Sequence, residues 1–376
     1  MGCHNPPARI FSGAAAQTAS LPPISATDRL DLAPKGAAAP INPALCTPRR
    51  PMQTTVVGTY PKIPNRPRPG RLRNAINKRD RGDLTSDELL AIEDEVTAEV
   101  IEEQIGAGVD IVTDGQVRWD DDQTYVARRL AGVEIGGLQR YLDTNTYYRQ
   151  PEVTGAIKFK EPVLAAAWKF AQERSSRPVK AIVPGPYTLA ALSADKHYGS
   201  REKVALAFAE ALRGEVDALV EAGCKQIQVN DPVIVFNKDD YGAFHKAITK
   251  LLDGVSGAET GVYTWFGDCA GILPQMQELP CDVIGLDFEA GPGNWEALKS
   301  VTFEKKLGAG IVDARNTRLE SAAEVAEAVK RLSDAVAPER LYVNPSCGLE
   351  YLPRETALEK LKVMVEGARQ AEGVAA

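Results

Sequence analysis

Eight apolar runs, most of them separated by amphipathic stretches of helical period, limit how this chain of 376 residues can fold. Buried parallel strands read as continuous runs rich in Val and Ile, and these runs have that character. They cover residues 54–60, 109–114, 179–184, 226–231, 261–266, 283–287, 307–312 and 341–344. Eight strands with helical crossovers predict an α/β fold, the (β/α)8 TIM barrel. A doubly wound open sheet is the alternative, which the lack of a Gly-rich dinucleotide loop after the first run disfavours.

Helical patterns fill the longer spaces, for example at residues 86–107, 203–222 and 321–335. Each apolar run ends in polar residues, Gly or Pro, which are ordinary turn formers. In a barrel, however, the carboxyl ends of the strands meet at one mouth, where the active site lies. The same pattern at all eight ends therefore favours a functional mouth over eight unrelated turns.

Residues 1–51 have a different composition, rich in Ala and Pro, and no hydrophobic period persists in them. We interpret them as a disordered extension. Their low acidity would also suit a transit peptide, although no amphipathic helix is evident. We favour an over-long start, with the barrel domain occupying residues 52–376 from Met52 onward.

The charge and the cysteines limit the class of protein. A net charge of −7 argues against a nucleic-acid partner. No apolar run reaches the roughly 20 residues that span a bilayer, so no membrane association is expected. Six scattered cysteines predict reduced thiols and a cytoplasmic location. With only three histidines, a zinc site based on His is hard to build.

Cys347 is the best placed candidate for metal binding or thiol chemistry, because it follows Asn344-Pro345 at the end of the last run. A buried, inert thiol is the alternative. Cys269 and Asp287 also follow strand ends and are further candidate ligands. Zinc normally requires four ligands, or three with an open position for catalysis, so the set is incomplete.

Other strand ends carry polar groups suited to a small ligand. Gln116, Asn230 and Asp231 could hold an amino acid or a similar molecule, or could only orient loops. Cations crowd the first loop, where they form either a solvated surface or an anion site: Lys62, Arg66, Arg68, Arg71 and Arg73. The long segment 119–178 is typical of a lid or substrate wall. We interpret Asp120-Asp121-Asp122 within it as a solvated helix start.

These strand ends, in chain order, resemble motifs of the cobalamin-independent methionine synthase family from residue 55 to about residue 370. The matching phrases are Val57-Gly58-Thr59-Tyr60-Pro61, Asp114-Gly115-Gln116-Val117-Arg118, Pro184-Gly185-Pro186-Tyr187-Thr188, Gln228-Val229-Asn230-Asp231-Pro232 and Asn344-Pro345-Ser346-Cys347-Gly348-Leu349. The resemblance implies a (β/α)8 barrel of the short, single-barrel type. It also implies methyl transfer from a methyl-folate or methyl-corrinoid to the thiol of homocysteine or a related thiol. Zinc is the cofactor it implies, and Gly58 and Thr59 fall among the substrate-binding positions.

The chain departs from the family pattern at the zinc site and the amino-group site. The family's His-x-Cys falls on Trp265 and Gly267, its Glu on Asp287, and its last Cys on Cys347. Two acids that hold the substrate's amino group are replaced by Gln116 and Asn230. Residues 144–148, 263–267 and 313–316 resemble instead the family's N-terminal barrel, which lacks zinc and contributes to folate binding.

Two hypotheses about function follow. The first is a methyltransferase acting in methionine biosynthesis, with Cys347, Asp287 and Cys269 as metal ligands. The second is a non-catalytic paralogue or subunit that binds a pterin or methyl carrier. It would work beside a corrinoid protein or a separate catalytic barrel.

Overall fold

The structure is a computed structural model that describes residues 52–64 and 70–373. It consists mainly of parallel strands and the helices that connect them. The predicted extension 1–51 lies outside these residues, as do Arg66 and Arg68 of the basic loop. The strands are β1 (Gln53–Thr54), β2 (Ala131–Arg140), β3 (Tyr147–Lys158), β4 (Ala181–Pro184), β5 (Ala194–Asp195), β6 (Gln226–Asn230), β7 (Glu259–Tyr263), β8 (Val283–Asp287), β9 (Lys306–Val312) and β10 (Leu341–Pro345).

Seven of these strands form one parallel sheet in the order β1-β10-β9-β8-β7-β6-β4. Their residues are mostly buried, as expected for parallel strands that are covered on both faces. The α/β architecture that the apolar runs predict is therefore present. Because all seven strands are parallel, their carboxyl ends lie at the same edge of the sheet.

The predicted second strand, 109–114, is not a regular strand. Single parallel bridges join Ile111 to Thr55 and Val112 to Val179, so this segment links the two edges of the sheet. The side chain of Gln104 explains the short pairing. It donates to the carbonyl of Thr113 at 3.0 Å and accepts from the Thr113 N–H at 3.0 Å. A side chain thus satisfies backbone groups that a neighbouring strand would otherwise pair.

The α-helices follow the predicted amphipathic stretches closely. They are α1 (Arg71–Asp80), α2 (Ser86–Gly106), α3 (Thr124–Ala127), α4 (Leu164–Glu173), α5 (Pro186–Leu192), α6 (Arg201–Glu221), α7 (Tyr241–Leu252), α8 (Leu273–Met276), α9 (Gly293–Lys299), α10 (Ala322–Ser333) and α11 (Arg354–Ala371). Capping boxes begin α2, through Thr85 and Glu88, and α10, through Ser321 and Glu324. None of the helices in the described ranges is long and apolar enough to cross a membrane.

The long segment 119–178 forms α3, the antiparallel pair β2–β3 and α4, and β5 pairs with β3 to complete a small second sheet. The start of α4 is held by Glu215 of α6, which accepts hydrogen bonds from the N–H groups of Val163 and Leu164. Those N–H groups have no partner within their own helix, so a buried acid is well suited to them. The hairpin end, between β2 and β3, reaches the carboxyl edge of the main sheet.

Candidate active site

A cavity of about 460 Å³ opens beside the carboxyl ends of β1 and β10. Four segments remote in sequence supply most of its wall: the loop after β1, the loop after Ile111-Val112, the end of the β2–β3 hairpin and the turn after β10. The residues that line the cavity include Thr59, Lys62, Gln116, Asp122, Tyr141, Glu350 and Tyr351. This volume is in the range of small-molecule sites.

Gln116 lies deep in this cavity and is 1% exposed. Its backbone has a φ of 50°, in the left-handed region that non-glycine residues seldom adopt. The side-chain amide donates to Oδ1 of Asp122 at 2.9 Å. Its Oε1 has no hydrogen-bond partner among the residues described. The strained backbone thus holds a buried amide oxygen at the cavity wall.

Gly58 lies directly below that amide oxygen. A Cβ on residue 58 would stand 2.5 Å from Oε1 of Gln116, and the φ of Gly58 is +152°. A side chain at this position would push Gln116 out of place. The role of Gly58 in the site is therefore to leave room for Gln116.

Glu350 lies across the cavity, in the turn after β10, and accepts a hydrogen bond from the hydroxyl of Thr59. Glu350 is exposed. Lys62 carries a charge in the same region, and its Nζ donates to the carbonyl of Trp119. Thr59 and Glu350 thus join the first loop to the last one, and Lys62 joins the first loop to the loop after Ile111-Val112.

The cavity changes the ionisation of these groups. Desolvation, with the nearby Glu350 and Asp121 charges, raises the pKa of Asp122 to about 7. Desolvation also raises the pKa of Glu350, while the Thr59 hydrogen bond and the Lys62 charge act in the opposite direction. Desolvation lowers the pKa of Lys62 against the pull of the surrounding acids. Perturbed groups gathered in one cleft are typical of a functional site.

The three predicted metal ligands do not assemble into a metal site. Within residues 52–64 and 70–373, no group of three or more His, Cys, Asp or Glu side chains is placed to hold a metal ion. Asp287 uses both oxygens to accept N–H groups of its own and the preceding loop, from Phe266, Glu289 and Ala290 at 2.9 Å each. Its carboxylate therefore organises the loops at the end of β7 and β8.

The two cysteines are buried thiols. Cys347 donates from Sγ to the carbonyl of Gly348 at 3.3 Å, and burial raises its pKa well above 9. Cys269 lies 3.3 Å from the hydroxyl of Thr264, and burial raises its pKa to about 11. Zinc needs at least three protein ligands, and neither thiol belongs to a group of that size within the described ranges. The residues present thus do not fit the zinc that the family resemblance implies.

Aromatic rings pack in the region where the resemblance placed the metal ligands. Phe266 packs edge-on against Trp265, Tyr141 and Tyr351, with ring centroids 6.4, 6.4 and 5.8 Å apart. The guanidinium of Arg315 stands 4.4 Å from the Phe266 ring. The backbone of Phe266 is itself strained, at φ 68°. This cluster extends from the ends of β7 and β10 to the hairpin.

Asn230 and Asp231, the other predicted substrate contacts, do not line the cavity. Asn230 is 4% exposed, and its Oδ1 accepts from Gln228 Nε2 at 2.6 Å. Asp231 accepts the N–H groups of Tyr187 and Thr188 at 3.1 and 2.7 Å, and burial raises its pKa to about 7. The structure gives Asp231 the alternative role of orienting a loop, here the first turn of α5.

Thr59 and Gln116 are thus brought together at the cavity, whereas Asp122, Glu350 and Tyr141 were missed as site residues. The Asp120-Asp121-Asp122 run was interpreted as a helix start, and Asp121 indeed accepts from the N–H of Thr124, at 2.6 Å, where α3 begins. Asp122 faces the cavity instead. Glu350 directly follows the motif at the end of the last strand, and a charged residue at such a place is the sequence signal that could have predicted it.

Comparisons with known proteins agree with this geometry. The family model described as "Cobalamin-independent synthase, Catalytic domain" matches residues 52–370. A methionine synthase of Saccharolobus solfataricus is 34% identical over 322 residues, which cover 85% of this chain and 94% of the relative. A methionine synthase of Sulfurisphaera tokodaii is 34% identical over 320 residues, or 85% and 92% of the two chains. A B12-independent methionine synthase from a Shewanella species, solved with selenomethionine, superposes with a TM-score of 0.73 at 24% identity, covering 86% of this chain and 98% of that one.

Proposed function

The chain belongs to the cobalamin-independent methionine synthase family, and we propose that it transfers a methyl group to the thiol of homocysteine in methionine biosynthesis. The observation that carries the proposal is the meeting of family motifs at one cavity. The Gly58-Thr59 motif, the Gln116 motif and the turn after Cys347 lie far apart in sequence, yet they border the same space. A methyl donor and a small thiol would meet there, as substrates do at the carboxyl ends of parallel strands.

Several finer statements accompany this proposal. We infer that the Ile111 and Val112 bridges close the sheet into the (β/α)8 barrel of the family. A cytoplasmic location suits the four described cysteines, which are free and buried. The donor is a methyl-folate or a methyl-corrinoid, and the latter would be presented by a corrinoid protein or a second subunit.

The chemistry proposed for this chain does not pass through zinc, although the family is generally zinc-dependent. A free thiol with a pKa near 8.5 is partly ionised at neutral pH, and the thiolate is the nucleophile. The chain's own groups would then bind the acceptor, hold it beside the donor and exclude water. Such positioning accelerates a reaction between two bound substrates. With methyl-folate as donor, the bond from the methyl carbon to nitrogen breaks as the carbon–sulfur bond forms, and the leaving nitrogen takes up a proton equivalent to the one that the thiol loses.

A second candidate function, a non-catalytic paralogue that binds a pterin or methyl carrier, is favoured by one observation. The ligand positions of the family site hold Trp265, Gly267 and a neutral Cys347 thiol. A chain that keeps the cavity without the ligands could bind the carrier and leave catalysis to another barrel.

Methionine formation by the purified full chain tests the proposal. The protein would be incubated with L-homocysteine and either methyl-tetrahydrofolate or methylcobalamin, and methionine would be measured by mass spectrometry. Metal content would be determined on the same sample. Turnover with either donor supports the enzyme, whereas binding of a donor by calorimetry without any methionine supports the second candidate.

A matched pair of glycine variants links the activity to this cavity. Gly58→Ala places a Cβ against Oε1 of Gln116 and should lower turnover about tenfold or more. Gly137→Ala, on the exposed hairpin with no atom within 4 Å of the new Cβ, should leave turnover unchanged. Circular dichroism of both variants checks that they are folded. Equal activity of the two folded variants would place the reaction elsewhere.

A further inference from the structure

The acids that line the cavity fall into two kinds. Asp120 forms an ion pair with Arg128, and Asp121 is occupied by the N–H groups and hydroxyl at the start of α3. The hydrogen bonds to Asp122 and Glu350 come from neutral groups: the amide of Gln116 to Asp122, and the side chains of Thr59 and Tyr351 to Glu350. Asp122 and Glu350 therefore keep carboxylate oxygens that can accept from a ligand.

The charges in this part of the cavity do not balance. The charge of Glu350 raises the pKa of Asp122, as expected of like charges that lie close together. Lys62 is the cation that acts on both. Arg73 also lines the cavity, but its side chain lies at the exposed rim. Two carboxylates against one half-buried ammonium leave one negative charge uncompensated when both acids are ionised, so a bound monocation would complete the site.

One further polar atom points to a ligand at the same place. Oε1 of Gln116, a residue that is 1% exposed, has no hydrogen-bond partner in the part of the chain described. Gln116 lines the cavity. Buried polar groups are almost always hydrogen-bonded, so such atoms mark a place where a ligand or water completes the bonding. Because Nε2 of Gln116 faces Asp122, its Oε1 remains as an acceptor for a donor group.

We propose that Asp122, Glu350 and Oε1 of Gln116 form a subsite for the ammonium group of the thiol substrate. An ammonium has three donors and no acceptor, which matches two carboxylates and an amide oxygen. The subsite replaces the two acids that the chain lacks at positions 116 and 230. The inference rests on the proposed function, since it names how that substrate is held.

The same arrangement selects against a carboxylate at this place. The Thr59 hydroxyl, which could donate to a substrate carboxylate, already donates to Glu350. A second anion here would meet Asp122 and Glu350 at short range without a donor of its own. The substrate's amino group is thus required for binding, and its carboxyl group contributes little.

Calorimetric titration of the full chain with three thiols tests this selectivity. The thiols are L-homocysteine, 3-mercaptopropylamine, which lacks the carboxylate, and 4-mercaptobutanoate, which lacks the amine. The two amines should bind with dissociation constants within about fivefold of each other, and 4-mercaptobutanoate should bind roughly 10- to 100-fold more weakly, since charged hydrogen bonds of this kind are lost. Equal binding of 4-mercaptobutanoate and L-homocysteine would overturn the proposal.

Charge variants assign the effect to the two carboxylates. Asp122→Asn and Glu350→Gln should each weaken binding of 3-mercaptopropylamine about tenfold or more and leave 4-mercaptobutanoate bound as well or better. Asp143→Asn is the control, because it removes one charge from a side chain that is 87% exposed on the nearby hairpin. Unchanged amine binding in both folded site variants would refute the assignment. Binding of Mg²⁺ or Zn²⁺ alone that abolishes amine binding would make the carboxylates a metal site and overturn it as well.

The two proposals can fail separately. If methionine forms but 4-mercaptobutanoate is methylated as well as homocysteine, the function stands and the ammonium subsite falls. If no donor yields methionine while the amines still bind through Asp122, the subsite stands and the methyl transfer falls.

Discussion

Gln116 donates a hydrogen bond from Nε2 to Oδ1 of Asp122 at 2.9 Å, so an amide and an acid are in direct contact in the cavity wall. An acid at position 116, which the family resemblance implies, would stand beside Asp122 and place two carboxylates in hydrogen-bonding contact. Such a pair must share a proton or separate. The amide at 116 and the acid at 122 are therefore compatible partners.

Replacing the amide of Gln116 by an acid should destabilise the protein, and the size of the effect should depend on pH. Gln116→Glu faces Asp122, and mutual repulsion would raise the pKa of the pair in the folded state. The folded protein would then bind more protons than the unfolded chain, so its stability should fall as pH rises from about 4 through the raised pKa. Chemical denaturation should show little loss at about pH 5 and a loss of about 1–3 kcal/mol at about pH 8.

A charge exchange provides the control for this variant. Gln116→Glu combined with Asp122→Asn keeps one acid and one amide in contact with their positions reversed. The double variant should recover most of the lost stability at about pH 8. A double variant as unstable as Gln116→Glu alone would show that the loss comes from the strained backbone at 116 and not from charge.

Cys347 should react slowly with thiol reagents, and chelators should not change its rate. The residue is fully buried, its thiol donates to the carbonyl of Gly348, and burial holds its pKa well above 9. Iodoacetamide labelling followed by peptide mapping should show it reacting about 100-fold or more slowly than in the unfolded chain, because only the thiolate is reactive. A zinc-bound Cys347 would become more reactive after EDTA treatment, which is the contrary result.

Several regular elements could be predicted from the sequence to within a few residues, because one period dominates each of them. The first strand, predicted at 54–60, is only Gln53–Thr54, and β2 and β3 were not predicted as strands. Predicted residues 86–107 became Ser86–Gly106, and the apolar run 283–287 became the strand Val283–Asp287. The predicted second strand was wrong as a regular strand, since the side chain of Gln104 takes the hydrogen bonds of Thr113. A long-range side-chain contact of this kind leaves no trace in local periodicity.

The site was less predictable than the fold, because side-chain direction depends on loop geometry. Thr59 and Gln116 follow strand ends and do line the cavity, whereas Asp231 follows one and turns to cap α5. Within the Asp120-Asp121-Asp122 run, the helix-start interpretation holds for Asp121 and not for Asp122, which the left-handed backbone at Gln116 allows to face the cavity. Neighbouring residues of one type thus acquire different roles from turns that the sequence does not specify.

Removing only one partner of the buried ion pair between Lys360 and Glu320 should strongly lower the stability of the folded protein. Nζ of Lys360 lies 2.9 and 2.8 Å from the two carboxylate oxygens, and Lys360 is fully buried. Lys360→Met would leave Glu320 buried and unpaired, with an expected loss of about 3–5 kcal/mol in the free energy of unfolding. Urea denaturation of the variant measures this loss directly.

Two comparisons show whether that loss is electrostatic. Adding Glu320→Gln to Lys360→Met removes the stranded charge and keeps an acceptor for the N–H of Asp313, so stability should partly return. Lys362→Met, on the same helix, breaks an exposed pair with Glu359 and should cost at most about 0.5 kcal/mol. A similar loss in Lys360→Met and Lys362→Met would contradict the prediction.

Lys180 should destabilise the folded protein, and its replacement should stabilise it. Its Nζ has no hydrogen-bond partner within the described ranges and stands 5.0 Å from the Tyr263 ring. Desolvation lowers its pKa to about 7, against 10.5 for a solvated lysine, with Glu259 opposing the shift.

This shift makes the stability of the protein depend on pH. Between about pH 7 and about pH 10.5 the unfolded chain binds more protons than the folded protein, so Lys180 makes stability rise with pH. Its cost is complete below pH 7 and disappears above about pH 10.5. Lys180→Met should therefore raise the free energy of unfolding by a few kcal/mol at about pH 6, and this gain should shrink towards about pH 10. The control Lys203→Met, on the exposed face of α6, should change the free energy of unfolding by at most about 0.5 kcal/mol at either pH. A gain that is the same at both pH values would show that packing against Tyr263, and not the buried charge, is responsible.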